Sequence, residues 1–70
     1  MTSDWKILIV TGPLDEDYLI AEIYYKGEEV ADISVFGTIL TIYSRKDKQP
    51  WILKIEEFLE VIEVAKRKLL

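Results

Sequence analysis

The sequence contains no cysteine and no histidine. Without cysteine there can be no disulfide bond, thiolate metal site or cysteine nucleophile. Without histidine, the side chain that most often acts as a general base or metal ligand is missing. Ser34 and Ser44 therefore have no imidazole that could activate them as nucleophiles. We predict that the protein is not an enzyme, has no catalytic residues, and holds no metal or cofactor.

Long apolar runs are also missing, and none approaches the roughly 20 residues that span a bilayer. The N-terminal segment MTSDWKILIV lacks the basic start and the small-residue cleavage site of a signal peptide. We therefore expect a cytoplasmic protein with no membrane contact. The chain is expected to form a single domain, residues 1–70. A domain of this size without disulfides is expected to be only marginally stable by itself.

The charge is acidic overall, with a net value of −4, but it is unevenly placed. Residues 1–35 contain two lysines and eight acidic residues, whereas residues 36–70 contain seven basic and five acidic residues. An acidic first half argues against broad phosphate binding and suits a protein partner with a basic surface, although it equally serves ordinary solubility. The local basic segments SRKDK and KRK leave a nucleic-acid-associated accessory role as a less favoured alternative.

Four short β-rich runs, separated by glycine and charged residues, predict four strands. They cover residues 5–11, 18–26, 30–36 and 38–45. Gly12-Pro13 ends the first strand because proline cannot donate a ladder hydrogen bond. Gly27 predicts a tight hairpin turn, and Gly37 permits a second turn or a bulge.

The C-terminal segment has the spacing of an amphipathic helix. Acidic residues crowd its first turns and basic residues its last, which complements the helix dipole. No capping residue marks its start, which is left open between Trp51 and Ile55. The apolar stripe is formed by Ile55, Phe58, Leu59, Ile62, Ala65 and Leu69. The predicted fold is α+β: a four-stranded antiparallel β-meander with one C-terminal helix packed on one face.

One helix can cover much of one sheet face and none of the other, since it is about 10 Å wide and strands are spaced by about 4.8 Å. The residues expected to face the helix are Leu19, Ala21, Ile23, Ala31, Ile33, Val35, Leu40 and Ile42. The apolar residues expected on the opposite face are Ile20, Tyr24, Val30, Phe36, Ile39 and Tyr43. In the first strand, Trp5, Ile7 and Ile9 or else Leu8 and Val10 join that opposite face, depending on register.

The uncovered face mixes apolar and acidic side chains, which is typical of a binding surface. We predict a protein–protein interface, with Tyr24, Phe36, Ile39 and Tyr43 as apolar anchors. Ile20 belongs to the same surface, and Glu22 and Asp32 provide register and specificity. A homodimer through this face is favoured over a foreign partner. The alternatives are that these residues close a small barrel or lie beneath the first loop.

Three other groups of residues are weaker candidates for a metal site, an acid–base pair or a nucleic-acid-binding surface. Asp15, Glu16 and Asp17 form an acidic loop without the ligand spacing of a calcium site. Glu22 and Asp32 could face each other as an acid–base pair or serve as edge charges against aggregation. The tyrosines lie beside acids rather than the basic residues that accompany base-stacking aromatics.

The segments AEIYYKGEEVADIS and PWILKIEEFLEVIEVAKRKLL resemble a group of small bacterial proteins with a β-meander and a C-terminal helix. The resemblance covers residues 18–70 and implies the same fold. It implies no active-site residues. In general type, the size and acidity also resemble immunity proteins and phage-encoded inhibitors, which neutralise an enzyme by masking it. That likeness implies a masking role as the alternative to homodimerisation.

Overall fold

A computed structural model describes residues 3–12 and 19–69 of the chain. The strands are β1 (Trp5–Thr11), β2 (Leu19–Tyr25), β3 (Glu28–Ser34) and β4 (Ile39–Ile42), followed by the helix α1 (Ile55–Lys68). The strands form one antiparallel sheet in the order β1-β2-β3-β4, and α1 packs on one face. The predicted ββββα meander is confirmed. The acidic loop Asp15–Asp17 lies outside the described residues.

The β2–β3 hairpin closes with a two-residue turn at Lys26 and Gly27. Both residues have positive φ, 51° and 86° respectively, as a type I′ turn requires. The twist of this turn matches the twist of the flanking strands, so it holds the two strands in register. The backbone N–H of Lys26 also donates to the carbonyl of Asp4 at 2.8 Å, which ties the turn to the start of β1.

A β-bulge in the β2–β3 ladder changes which residues of β3 point to each side of the sheet. The pairing steps from Ile23↔Ala31 to Tyr24↔Glu29, so Val30 is the extra residue. Val30 and Ala31 are consequently both buried. The simple alternation predicted for this strand placed Val30 on the outer side, and that expectation is wrong because the bulge interrupts the alternation.

The fourth strand is shorter than predicted, and the third begins and ends two residues earlier than predicted. β3 ends at Ser34, and the next three residues, Val35, Phe36 and Gly37, all have positive φ, between 52° and 83°. A left-handed backbone cannot continue a strand, so these residues form the turn that leads to β4. Val35 and Phe36 therefore belong to neither sheet face, although alternation assigned both to strands.

The helix begins at Ile55, and charged residues near its ends, rather than a capping side chain, stabilise its termini. Its N-cap residue, Lys54, makes no side-chain capping bond. Glu56 and Glu57 lie in the first turn, and Lys66, Arg67 and Lys68 in the last, as expected for residues that complement the helix dipole. Val61 and Ala65 are the helix residues that are fully buried against the sheet.

The core lies between α1 and the centre of the sheet. Its sheet side is formed by Trp5, Ala21, Ile23, Val30, Ala31 and Ile33. Trp5 anchors one end, since its ring stacks on Phe58 with centroids 6.0 Å apart and its Nε1 donates to Glu57 Oε1 at 3.1 Å. Burial of these side chains is the main stabilising contribution to the fold.

The helix covers less of the sheet than the sequence predicted. It contacts β1, β2 and β3 but does not reach β4. Leu40 and Ile42 point to the helix side by register, yet they remain 42% and 60% exposed, and Leu19 is also exposed. A single helix is about 10 Å wide, so it cannot span a sheet of four strands.

No helix within the described part of the chain is long and apolar enough to cross a membrane.

Candidate interaction surface

The sheet face turned away from α1 is called the outer face. Directly opposed residues of antiparallel strands share a face, and the pairs Leu8↔Glu22, Glu22↔Asp32 and Asp32↔Thr41 run across all four strands. The outer face is formed by Lys6, Leu8, Val10, Ile20, Glu22, Tyr24, Glu29, Asp32, Ser34, Ile39, Thr41 and Tyr43. It is open along its described residues, because α1 lies on the other side.

Six of the seven predicted interface residues lie on the outer face. They are Ile20, Tyr24, Ile39, Tyr43, Glu22 and Asp32. The seventh, Phe36, lies in the β3–β4 turn with φ of 58° and is 67% exposed. Its predicted place on this face is wrong because β3 ends two residues earlier. That the six form an interface remains a prediction.

The register of β1 answers a point that the sequence left open. Trp5 pairs with Tyr25 and Ile7 with Ile23, so the odd-numbered residues of β1 face the helix. Leu8 and Val10 consequently extend the outer face across the first strand. They add aliphatic surface beside Glu22 and Ile20, their partners on β2.

Two tyrosine hydroxyls on the outer face donate to neighbouring carboxylates. Tyr24 donates to Glu22 Oε1 at 3.0 Å, and Tyr43 donates to Asp32 Oδ2. These bonds raise the pKa of Tyr24, and they raise the pKa of Tyr43 to about 12, because a phenolate would lose the bond and face a carboxylate. Each hydroxyl is thus held by a carboxylate of the same face.

Three carboxylates, Glu22, Glu29 and Asp32, come together at the centre of the outer face. Burial raises the pKa of Glu29, and the charges of Glu22 and Asp32 raise it further. Glu29 was not among the predicted interface residues, since only the bulge brings it opposite Tyr24. The cluster is an acidic spot surrounded by aliphatic and aromatic side chains.

The three carboxylates are suited to binding a cationic group of a partner. Among residues 3–12 and 19–69, no group of acidic residues is arranged to hold a metal ion. A carboxylate cluster is, however, a ready acceptor for guanidinium or ammonium groups, because a cation relieves the repulsion between its members.

A second exposed apolar region lies on the helix side, beside β4. Glu57 and Lys66 are nine residues apart and so lie on opposite sides of α1. Glu57 accepts a hydrogen bond from Trp5 of β1, so its side of α1 faces the first strand. Lys66 lies near Gly37 of the β3–β4 turn, since a Cβ placed on Gly37 would be 3.9 Å from Cγ of Lys66. The Lys66 side of α1 therefore faces β4. Ile55 and Leu59 share that side and are exposed.

No protein-family model matches the chain, and neither does any curated protein or solved structure.

Proposed function

We propose that this protein is a non-catalytic binding module whose outer face docks on a partner protein. The partner surface would present lysine or arginine side chains set among apolar groups. The proposal rests on the acidic cluster of Glu22, Glu29 and Asp32, which is surrounded by aliphatic and aromatic side chains on the outer face. Tyrosine is enriched at the energetic centre of interfaces, and charges that match the partner's give specificity and a faster association.

The acidic cluster favours a foreign partner over a second copy at this face. A two-fold contact between two outer faces would bring the carboxylates of both copies together in a desolvated layer. Like charges in such a layer cost free energy, and the repulsion that already raises the pKa of Glu29 would increase. A basic partner reverses the sign of this interaction. The homodimer through this face is therefore the less favoured reading.

The mode of action that fits a small acidic face is masking. Covering a basic surface on another protein blocks whatever anionic substrate that surface binds, and it requires no catalytic group in the covering protein. The general likeness to immunity proteins and phage-encoded inhibitors points the same way. An enzyme with a basic active-site cleft is the class of partner we propose.

A titration with a model cationic peptide tests whether the outer face has this preference. The probe is a short peptide of alternating arginine and leucine, and the matched probe replaces arginine with glutamate. We expect the arginine peptide to shift backbone amide NMR signals of the outer-face residues and to leave those of α1 in place. The glutamate peptide should shift neither set.

The variant Asp32→Asn should weaken binding of the arginine peptide about fivefold, the equivalent of losing ~1 kcal/mol from one exposed ion pair. Glu63→Gln removes a charge from the exposed side of α1 and should leave binding unchanged. The proposal fails if both peptides shift the same signals, or if the two variants bind equally well.

A further inference from the structure

Strand β4 leaves an open hydrogen-bonding edge on the sheet. The backbone N–H of Tyr43 donates to the carbonyl of Val30 at 2.8 Å, so Tyr43, Thr41 and Ile39 direct their backbone groups toward β3. Ladder bonds alternate along an antiparallel strand, and the N–H and C=O of Leu40 and Ile42 therefore point outward. No described strand or helix pairs with them.

Apart from the shortness of β4, which has four residues, this edge lacks the usual protection against pairing with another chain. Exposed edge strands commonly carry lysine, proline, a bulge or an inward-pointing charge. Residues 38–43, TILTIY, contain no charge and no proline. The one irregularity in the described ladders lies between β2 and β3, away from this edge.

Apolar side chains flank the open edge on both faces of the sheet. Leu40 and Ile42 are exposed on the helix side, and Ile39 and Tyr43 are exposed on the outer side. A strand added at this edge would therefore bury apolar surface on both faces, not on one. That requirement is met by a neighbour whose own alternating residues are apolar on both faces.

We infer that β4 pairs with β4 of a second copy to form a two-fold dimer. With the axis perpendicular to the sheet at Thr41, Leu40 lies opposite Ile42 of the second copy, and Ile39 lies opposite its Tyr43. Each exposed apolar side chain then meets an apolar one, in pairs of the kind that stabilise antiparallel strands. The two sheets become one eight-stranded sheet with both helices on the same side.

The placement of charge fits a second copy. Asp32 lies on β3, so the two Asp32 side chains would be three strand spacings, about 14 Å, apart and largely screened from each other. A stable interface buries about 800 Å² per partner, roughly a sixth of the 5112 Å² surface of the chain. The exposed apolar side chains on both faces of β4 add to the area that strand pairing buries.

This inference is independent of the proposed function. It rests on the edge of β4, whereas the proposed partner site centres on the carboxylates of β2 and β3. A dimer of this kind keeps the acidic cluster open and presents two copies of it on one continuous surface.

Sedimentation from low to high micromolar concentration tests the dimer. We expect the wild type to sediment at twice the mass of the 8.2 kDa chain and Ile42→Lys to sediment as a monomer. Ile42 is 60% exposed, so the lysine is compatible with folding. Ile52→Lys is the matched control, since Ile52 is 84% exposed and lies outside β4, and it should remain dimeric. Leu8→Lys should also remain dimeric, which distinguishes the edge from a contact between outer faces.

The absence of cysteine makes the register directly testable. In the inferred pairing the two Thr41 residues form a non-hydrogen-bonded pair with Cα atoms about 4.5 Å apart, within disulfide range. Thr41→Cys should cross-link rapidly on mild oxidation, and Thr11→Cys, on the opposite edge strand, should not. A wild type that stays monomeric, an Ile42→Lys variant that still dimerises, or equal cross-linking of the two cysteine variants would overturn the inference.

Discussion

Tyr43 and Asp32 join a phenol and a carboxylate by a hydrogen bond on the outer face. The phenol donates to the carboxylate, and the loss of this bond on ionisation holds the pKa of Tyr43 at about 12. An unperturbed tyrosine ionises near pH 10. The ionisation of Tyr43 therefore reports the charge beside it.

We predict that replacing Asp32 will release this shift. In an alkaline titration followed by tyrosinate absorbance, the last phenol of the wild type should ionise near pH 12. In Asp32→Asn the corresponding step should move toward pH 10, because the neutral amide no longer repels a phenolate. Asp4→Asn, three strands away, should leave the step in place.

The raised pKa of Tyr43 also determines whether the protein gains or loses stability at alkaline pH. Between about pH 10 and pH 12 the native state holds the Tyr43 proton while the unfolded chain has lost it. The free energy of unfolding should consequently fall as pH rises through that range, and it should fall less in Asp32→Asn. Identical titration curves for wild type and Asp32→Asn would show that the Tyr43–Asp32 bond does not exist in solution.

At the scale of elements, the β3–β4 turn contains non-glycine residues in the left-handed region of backbone conformation. Val35 has φ of 52°, in the left-handed region where a β-branched residue is disfavoured by roughly 1–2 kcal/mol. Asparagine tolerates this region far better. We predict that Val35→Asn raises the free energy of unfolding by about 1 kcal/mol, measured by urea denaturation with tryptophan fluorescence.

The matched control makes the same substitution in an extended strand. Val10 lies within β1, where asparagine is disfavoured relative to valine. Val10→Asn should therefore lower the free energy of unfolding. If both variants are destabilised to the same extent, the turn is not left-handed at Val35.

The sequence predicted the elements better than it predicted their ends. β1 has the predicted bounds, and α1 begins at Ile55, the last position that the sequence left open for its start. The predicted apolar stripe is wrong at Ile55 and Leu59, which are exposed because α1 does not reach β4, and Val61, which it left out, is buried. The end of β3 was missed because apolar alternation continues through Val35 and Phe36 even though the backbone turns there. The bulge at Val30 was missed because a one-residue shift leaves no mark in composition.

The candidate site was predicted in outline for a simple geometric reason. A meander with one helix must leave a face uncovered, so alternation alone placed Tyr24, Glu22 and Asp32 on it. The position of α1 across the sheet depends on long-range packing such as that of Trp5 on Phe58, which no local pattern encodes. The exposure of Leu40 and Ile42 on the helix side follows because one helix does not reach β4, and it was not predicted.

At the scale of the whole molecule, stability and association are coupled. Eight hydrophobic side chains are buried among residues 3–12 and 19–69, a small core for a chain without disulfides. Association that buries Leu40 and Ile42 stabilises the native state by mass action. The midpoint of thermal unfolding should therefore depend on protein concentration.

We predict that the wild-type midpoint, followed by circular dichroism, rises by about 5 °C for each tenfold increase in concentration. The figure follows because a tenfold change supplies about 0.7 kcal/mol per chain to a dimer, against an unfolding entropy of about 2.1 cal/mol/K per residue. Ile42→Lys should melt at one temperature throughout, whereas Ile52→Lys should follow the wild type. A wild-type midpoint independent of concentration would mean that the small core suffices and that the β4 edge stays unpaired in solution.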